Sequence, residues 1–248
     1  MSRSRLFAAL TVITTAICCA AAPLRSWAAA PWAGLPERIP ADFIEQKNML
    51  PFEEEASPRA PIGVRLTING VPTLSPEKWG EAFLEDFYAS IPAGKKIGVT
   101  KDSKDREVWN YPIDTWVVHR IRFNTKNRPV FEFRVVNLQP SGIWAMGVYS
   151  PSTMDPDAPP SELLLNTYAG TPDGSYRMTS AESGRALDIQ LKRLPLQSCK
   201  NCHFNASPSN YMYETPDQVG PCGFAPHNPS VKGGWAEAWQ KKNGVSAF

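Results

Sequence analysis

The chain is predicted to be mainly β, an α+β fold with an antiparallel β-sheet body and a few helices, on three observations. Short runs of β-branched and aromatic residues recur between positions 107 and 149, with Asn, Pro and Gly between them. Within one run Phe131, Phe133 and Val135 fall on one face and Glu132 and Arg134 on the other, the period-2 pattern of a strand. Asn69-Gly70 closes another alternating run, Val64 to Ile68, with the dipeptide favoured in two-residue hairpin turns.

Arg3 and Arg5 precede an apolar run, Leu6 to Ala22. Pro23 to Arg25 break it, and Ser26-Trp27-Ala28 supplies small residues for cleavage. This is the pattern of a secretory signal peptide, 1–28, cut after Ala28, with Ala29 or Ala30 as alternative cut points. The run is slightly short for a span of about 20 residues, so no stable membrane span is expected after cleavage. Ile17 before Cys18 lacks the small side chain of a lipoprotein site.

Cleavage removes Arg3, Arg5 and Arg25, which leaves 23 basic against 24 acidic residues, a balance that excludes the basic footprint of a nucleic-acid binder. The remaining 220 residues suit a single domain. Residues 29–60 read as an extended, Pro-rich N-terminal arm and 61–248 as one domain.

The elements of that domain follow in order. Val64–Ile68 is a strand ending in the Asn69-Gly70 turn. Ser75-Pro76 offers an N-cap and a first-turn proline, and Trp79, Ala82, Phe83 and Phe87 recur at helical spacing, which predicts an amphipathic helix over 76–90. Glu107–Tyr111, Trp116–Phe123, Val130–Leu138 and Ile143–Tyr149 predict an antiparallel meander. Pro151 to Pro160, rich in Pro and Asp, is a loop. Leu187, Ile189 and Leu191 alternate as a further strand, and Trp235–Lys242 reads as a short closing helix. No phosphate-loop, serine-hydrolase elbow or zinc-protease motif is present.

The cysteines carry the chemistry. Beyond the signal peptide the chain has Cys199, Cys202 and Cys222. The first two stand in Cys199-Lys200-Asn201-Cys202-His203, the C-x-x-C-H signal for covalent attachment of a c-type haem. Two thiols at this spacing reach two vinyl groups on one porphyrin edge, and the adjacent imidazole can ligate iron from the proximal side. One haem c is therefore the expected cofactor, bound through Cys199 and Cys202 with His203 on the iron. Export to the periplasm fits, since covalent attachment in bacteria takes place outside the cytoplasm. Two other readings stay open: a Cys199–Cys202 disulfide or redox pair, and a zinc site built from Cys199, Cys202, Cys222 and His227.

The motif lies late, with 45 residues after His203, and follows a β-rich body. Gly142-Ile143-Trp144-Ala145-Met146-Gly147-Val148-Tyr149-Ser150-Pro151 carries a Trp-Ala pair in a strand ending in Pro, and Asp114-Thr115-Trp116-Val117-Val118-His119-Arg120-Ile121 precedes it. In these features the chain resembles the β-sheet haem family of cytochrome P-460 and cytochrome c′-beta, over about residues 100–215. The resemblance implies a haem pocket lined by the sheet, with an insertion around 155–185. It also implies a departure: the strand lysine that crosslinks to the porphyrin in P-460 proteins corresponds here to His119. That makes His119 a haem-pocket residue, an iron ligand, or a packed strand histidine.

The sixth iron position separates the functions. Its candidate ligands are Met212, His227 and His119, with Met146, Met154 and Met178 as further thioethers and Cys222 as a thiol. An open position implies binding or conversion of a small nitrogen-oxide-type ligand, as in a haem-dependent oxidoreductase. A filled one implies a six-coordinate electron-transfer cytochrome serving a redox partner protein. The reading from another class is a zinc-stabilised secreted β protein without a redox role. Phe123, Phe131, Phe133, Trp144 and Phe204 are expected pocket walls.

Overall fold

The computed structural model describes residues 33–56, 64–73, 79–101, 107–142, 144–166, 168–169, 174–195 and 235–248. Among them the protein is mainly β, with antiparallel sheets and two short helices. The strands are β1 (Arg38–Pro40), β2 (Leu50–Ala56), β3 (Val64–Ile68), β4 (Val71–Thr73), β5 (Phe83–Ser90), β6 (Gly98–Lys101) and β7 (Glu107–Asn110). They continue with β8 (Trp116–Phe123), β9 (Val130–Leu138), β10 (Trp144–Ser150), β11 (Glu162–Asn166), β12 (Tyr168–Ala169), β13 (Gly174–Thr179) and β14 (Ala186–Pro195). The helices are α1 (Phe43–Gln46) and α2 (Trp235–Asn243).

Seven strands form the main sheet in the order β1-β11-β10-β9-β8-β5-β2. Its centre holds three of the four runs expected as a meander, β8 and β9 at the predicted bounds and β10 over Trp144–Ser150, whereas the first run, Glu107–Tyr111, supplies β7, which pairs with β6 outside this sheet. A smaller sheet runs β12-β14-β3-β4, with β13 also paired to β14, and β6 and β7 form a separate hairpin. The Asn69-Gly70 turn joins β3 to β4, with φ of 50° and 77° at its two residues. Positive φ at both central positions is what a type I′ hairpin turn requires.

Residues 83–90 are not helical, as the spacing of Trp79, Ala82, Phe83 and Phe87 predicted, but form β5 in the middle of the main sheet. Every residue from Phe83 to Ala89 is buried, because the strand is covered on both faces. Burial on both faces erases the polar alternation that marks a strand. A separation of four residues also fits either period: Phe83 and Phe87 share a face in a strand as they would in a helix. Ser75 and Pro76 lie outside the described residues.

The segment expected as an extended arm enters the main sheet. β1 pairs with β11 and β2 with β5, so residues 38–56 supply both edges. α1 covers one sheet face, where Phe43 meets Trp116 edge to face at 5.2 Å. The region read as an insertion contains β11, β12 and β13.

The two faces of the main sheet differ. The first carries Tyr88, Trp116, Val118, Phe133, Val135 and Tyr149, capped by Leu35, Ile39, Phe43, Ile44 and Met49. On the second face Phe83, Ile121, Phe123 and Phe131 pack at one end against Met178, Leu187, Ile189 and Leu191 of the smaller sheet. At its β2 end Phe52, Phe87 and Ala89 pack against Ala236 and Trp239 of α2. Leu138 and Trp144 form a third apolar cluster on this face.

Phe131, Phe133 and Val135 therefore do not share one face. Ile121 pairs with Glu132 but Arg122 pairs with Val130, so Phe131 is the extra residue of a bulge. A bulge inverts the alternation beyond it. Phe131 accordingly joins the second face while Phe133 and Val135 stay on the first.

Candidate functional site

The second face of the main sheet holds a polar island between its three apolar clusters. Register places Phe87, His119, Arg134 and Val148 in one cross-strand row. Glu85, Ile121 and Glu132 form the adjacent row. Directly opposed residues in antiparallel strands project from the same face, so Glu85, His119, Glu132 and Arg134 share one patch.

Each side chain is fixed by its strand. The His119 imidazole stacks on the Phe87 ring at 4.3 Å between centroids, with the planes 27° apart. Its Nε2 lies 3.5 Å from Glu85 Oε1. Glu132 is completely buried, and its Oε1 accepts a hydrogen bond of 2.5 Å from Arg134 Nε. Its second oxygen, Oε2, is also buried and has no hydrogen-bond partner among the described residues; Glu85 Oε1 is likewise without a hydrogen bond. Burying a carboxylate oxygen without a donor to satisfy it is costly, so such atoms are candidates for a bound water, ion or ligand. The island is not sealed: the side chains of His119 and Arg134 keep 14% and 20% of their exposure.

Apolar neighbours surround it. Phe87, Ile121, Met146 and Val148 are buried on the same face. Such a frame lowers the local dielectric and strengthens every polar contact within it.

The opposite face carries a different charged group. Asp86, fully buried, accepts from Arg120 Nε at 3.0 Å and from Arg122 through Nε at 2.7 Å and Nη2 at 2.9 Å. Arg120 Nη2 donates to the Tyr88 hydroxyl at 2.6 Å, and Tyr88 donates in turn to Glu54 Oε1 at 3.4 Å. Burial pushes the Tyr88 phenol up to about 12, against the opposing pull of Arg120. Here each carboxylate oxygen of Asp86 is satisfied, so this is an internal tie between β5 and β8.

The residues expected to hold haem or metal stand as follows. His119 lies in the island. Met146 shares its face, whereas Met178 is buried in the apolar cluster beneath the smaller sheet and Met154 packs against the same cluster. Phe123, Phe131 and Trp144 belong to the island's face, but Phe133 lies on the other face and cannot wall a pocket there. Cys199, Cys202, His203, Phe204, Met212, Cys222 and His227 lie outside the described residues. Among the described residues no group of three or more His, Cys, Asp or Glu could hold a metal ion, and no helix is long and apolar enough to cross a membrane.

Sequence reasoning passed over Glu85, Glu132 and Arg134. The available signal was a charged pair, Glu132 and Arg134, inside the otherwise apolar run 130–138, where an outward solvent face would ordinarily be assumed. Glu85 was hidden by the helical reading of β5. The chain matches no family model, no curated protein and no solved structure.

Proposed function

We propose that this protein is a periplasmic monohaem c-type cytochrome, P-460-like, that binds or converts a small nitrogen-oxide-type ligand or transfers single electrons. The observation that carries the proposal is the Cys199-Lys200-Asn201-Cys202-His203 string in a chain that begins with a secretory signal pattern.

Two features of the described residues support it. The segment 196–234, which contains the string, joins β14, whose Leu191 packs under the smaller sheet, to α2, which packs at the β2 end. Both ends of that segment thus leave from clusters on the same sheet face. Between those clusters lies the island, with the His119 position that the family resemblance singles out.

A haem attached there would supply iron able to change oxidation state or accept a ligand. The chain's own residues would shape its surroundings. Phe87, Ile121, Met146 and Val148 exclude water from the sheet face. The Phe87 stack and Glu85 fix the orientation of the His119 ring, and Arg134 offers guanidinium donors beside Glu132.

The test is an optical spectrum of the full mature protein, purified from the periplasm of a host able to attach c-type haem. Colour that survives acid–acetone extraction, and is lost in Cys199→Ala/Cys202→Ala, is expected. A Soret band of the reduced protein that shifts with CO supports ligand binding, and an unshifted band assigns electron transfer. A colourless protein overturns the haem proposal, and bound zinc would replace it.

A further inference from the structure

We infer that the island formed by Glu85, His119, Glu132 and Arg134 is a binding site for a small N–H-bearing cation of the ammonium or primary-amine class. The inference uses the described residues alone and does not require the haem, although it concerns the sheet face that the proposed function also uses.

The first ground is the pair of acceptor atoms. Glu132 Oε2 and Glu85 Oε1 are buried carboxylate oxygens without a hydrogen bond, on residues that are 0% and 2% exposed. They come from strands on either side of β8 and flank Ile121 in a single cross-strand row. His119 Nε2 stands 3.5 Å from Glu85 Oε1 without making a hydrogen bond to it, and an ionised carboxylate only accepts, so what satisfies these oxygens at bonding distance must bring donors.

The second ground is charge. Two carboxylates face one guanidinium, and Arg134 is already engaged with the other oxygen of Glu132. Among the described residues of the island, two carboxylate side chains thus stand against a single permanently charged one, Arg134. A small anion such as nitrite would meet that excess of carboxylates and offer no donors. An alkylammonium ion would neutralise it and place N–H groups on the oxygens.

The third ground is shape. Phe87, Ile121, Met146 and Val148, each buried, frame the polar atoms with apolar side chains, the kind of neighbour that a short alkyl group requires. His119 and Arg134, whose side chains keep 14% and 20% of their exposure, are the members of the island that reach solvent.

The test is calorimetric titration of the full mature protein with methylammonium chloride, with tetramethylammonium chloride, which has no N–H donor, and with sodium nitrite. Saturable binding of methylammonium alone is expected. Glu132→Gln should weaken it by about tenfold or more, the loss of one charge-assisted hydrogen bond. Circular dichroism checks that the variant folds, and Glu85→Gln serves if it does not. Equal affinity for the two ammonium ions, preference for nitrite, or no binding to the wild-type protein overturns the inference. The visible spectrum of the same sample reports separately on the haem, so a colourless protein that binds methylammonium rejects the proposed function while keeping this site.

Discussion

At the scale of single residues, the main sheet separates two kinds of buried charge. Asp86 is satisfied by Arg120 and Arg122, which tie neighbouring strands together, while Glu85 and Glu132 on the reverse face keep oxygens without hydrogen bonds. The two glutamates are therefore the better functional candidates, because a closed network has no capacity left for a ligand. Tyr88, joined to the Asp86 network, gives a pH prediction. Its phenol is raised from 10.0 to about 12, chiefly by burial. A raised value means that the folded state holds the proton more tightly than the unfolded chain, so the contribution is complete below about pH 10 and is lost as pH rises through about 12. Urea midpoints measured from pH 9 to pH 12 should fall, and Tyr88→Phe should flatten that fall. An equally steep fall in the variant would assign the effect to other groups.

Elements were legible where one face of a strand is apolar or a turn residue is decisive. β8 and β9 appear at their expected bounds, where Asn124 follows the β-branched and aromatic run of β8 and Pro129 precedes that of β9. The β3–β4 hairpin follows from Asn69-Gly70, and it carries a prediction. Gly70 has φ of 77° and no atom within 4 Å of an added Cβ, so Gly70→Ala adds backbone strain without a clash. It should cost about 1 kcal/mol in chemical denaturation. A neutral result would mean that the turn can relax to negative φ. β5 was illegible for the opposite reason: with both faces buried, its sequence Phe83-Leu84-Glu85-Asp86-Phe87-Tyr88-Ala89 has no solvent side to set a period. The bulge at Phe131 was equally hidden, since it exists only in the pairing of β9 with β8.

On the scale of the whole molecule, distant parts of the chain close on one sheet. β2, from residues 50–56, and α2, from residues 235–243, meet at the same edge. Lys242 Nζ donates to Glu54 Oε2 at 2.8 Å, and Asn243 Nδ2 to the Pro51 carbonyl at 2.7 Å. Trp239 anchors the helix: it is 5% exposed, and its indole N–H donates to the Ala89 carbonyl at 3.1 Å. Trp239→Ala should destabilise the protein by about 3–5 kcal/mol, read from the urea midpoint, with the transition remaining single. A separate early transition would instead show that α2 unfolds independently of the sheet.

The mainly β class, three strands of the expected meander, the Asn69-Gly70 hairpin and the closing helix are legible in the primary structure. These depend on neighbours within a few positions, through alternation, turn chemistry and helical spacing. It also singled out His119 and supplied the Cys199–His203 string on which the proposed function rests. Long-range packing, by contrast, made residues 38–56 the sheet's two edges, made β5 a strand, and parted Phe131 from Phe133. Only it brought Glu85 from one strand and Glu132 and Arg134 from another around His119. Cross-strand register is a property of pairing between segments far apart in the chain, and no local pattern encodes which charged residue will meet which.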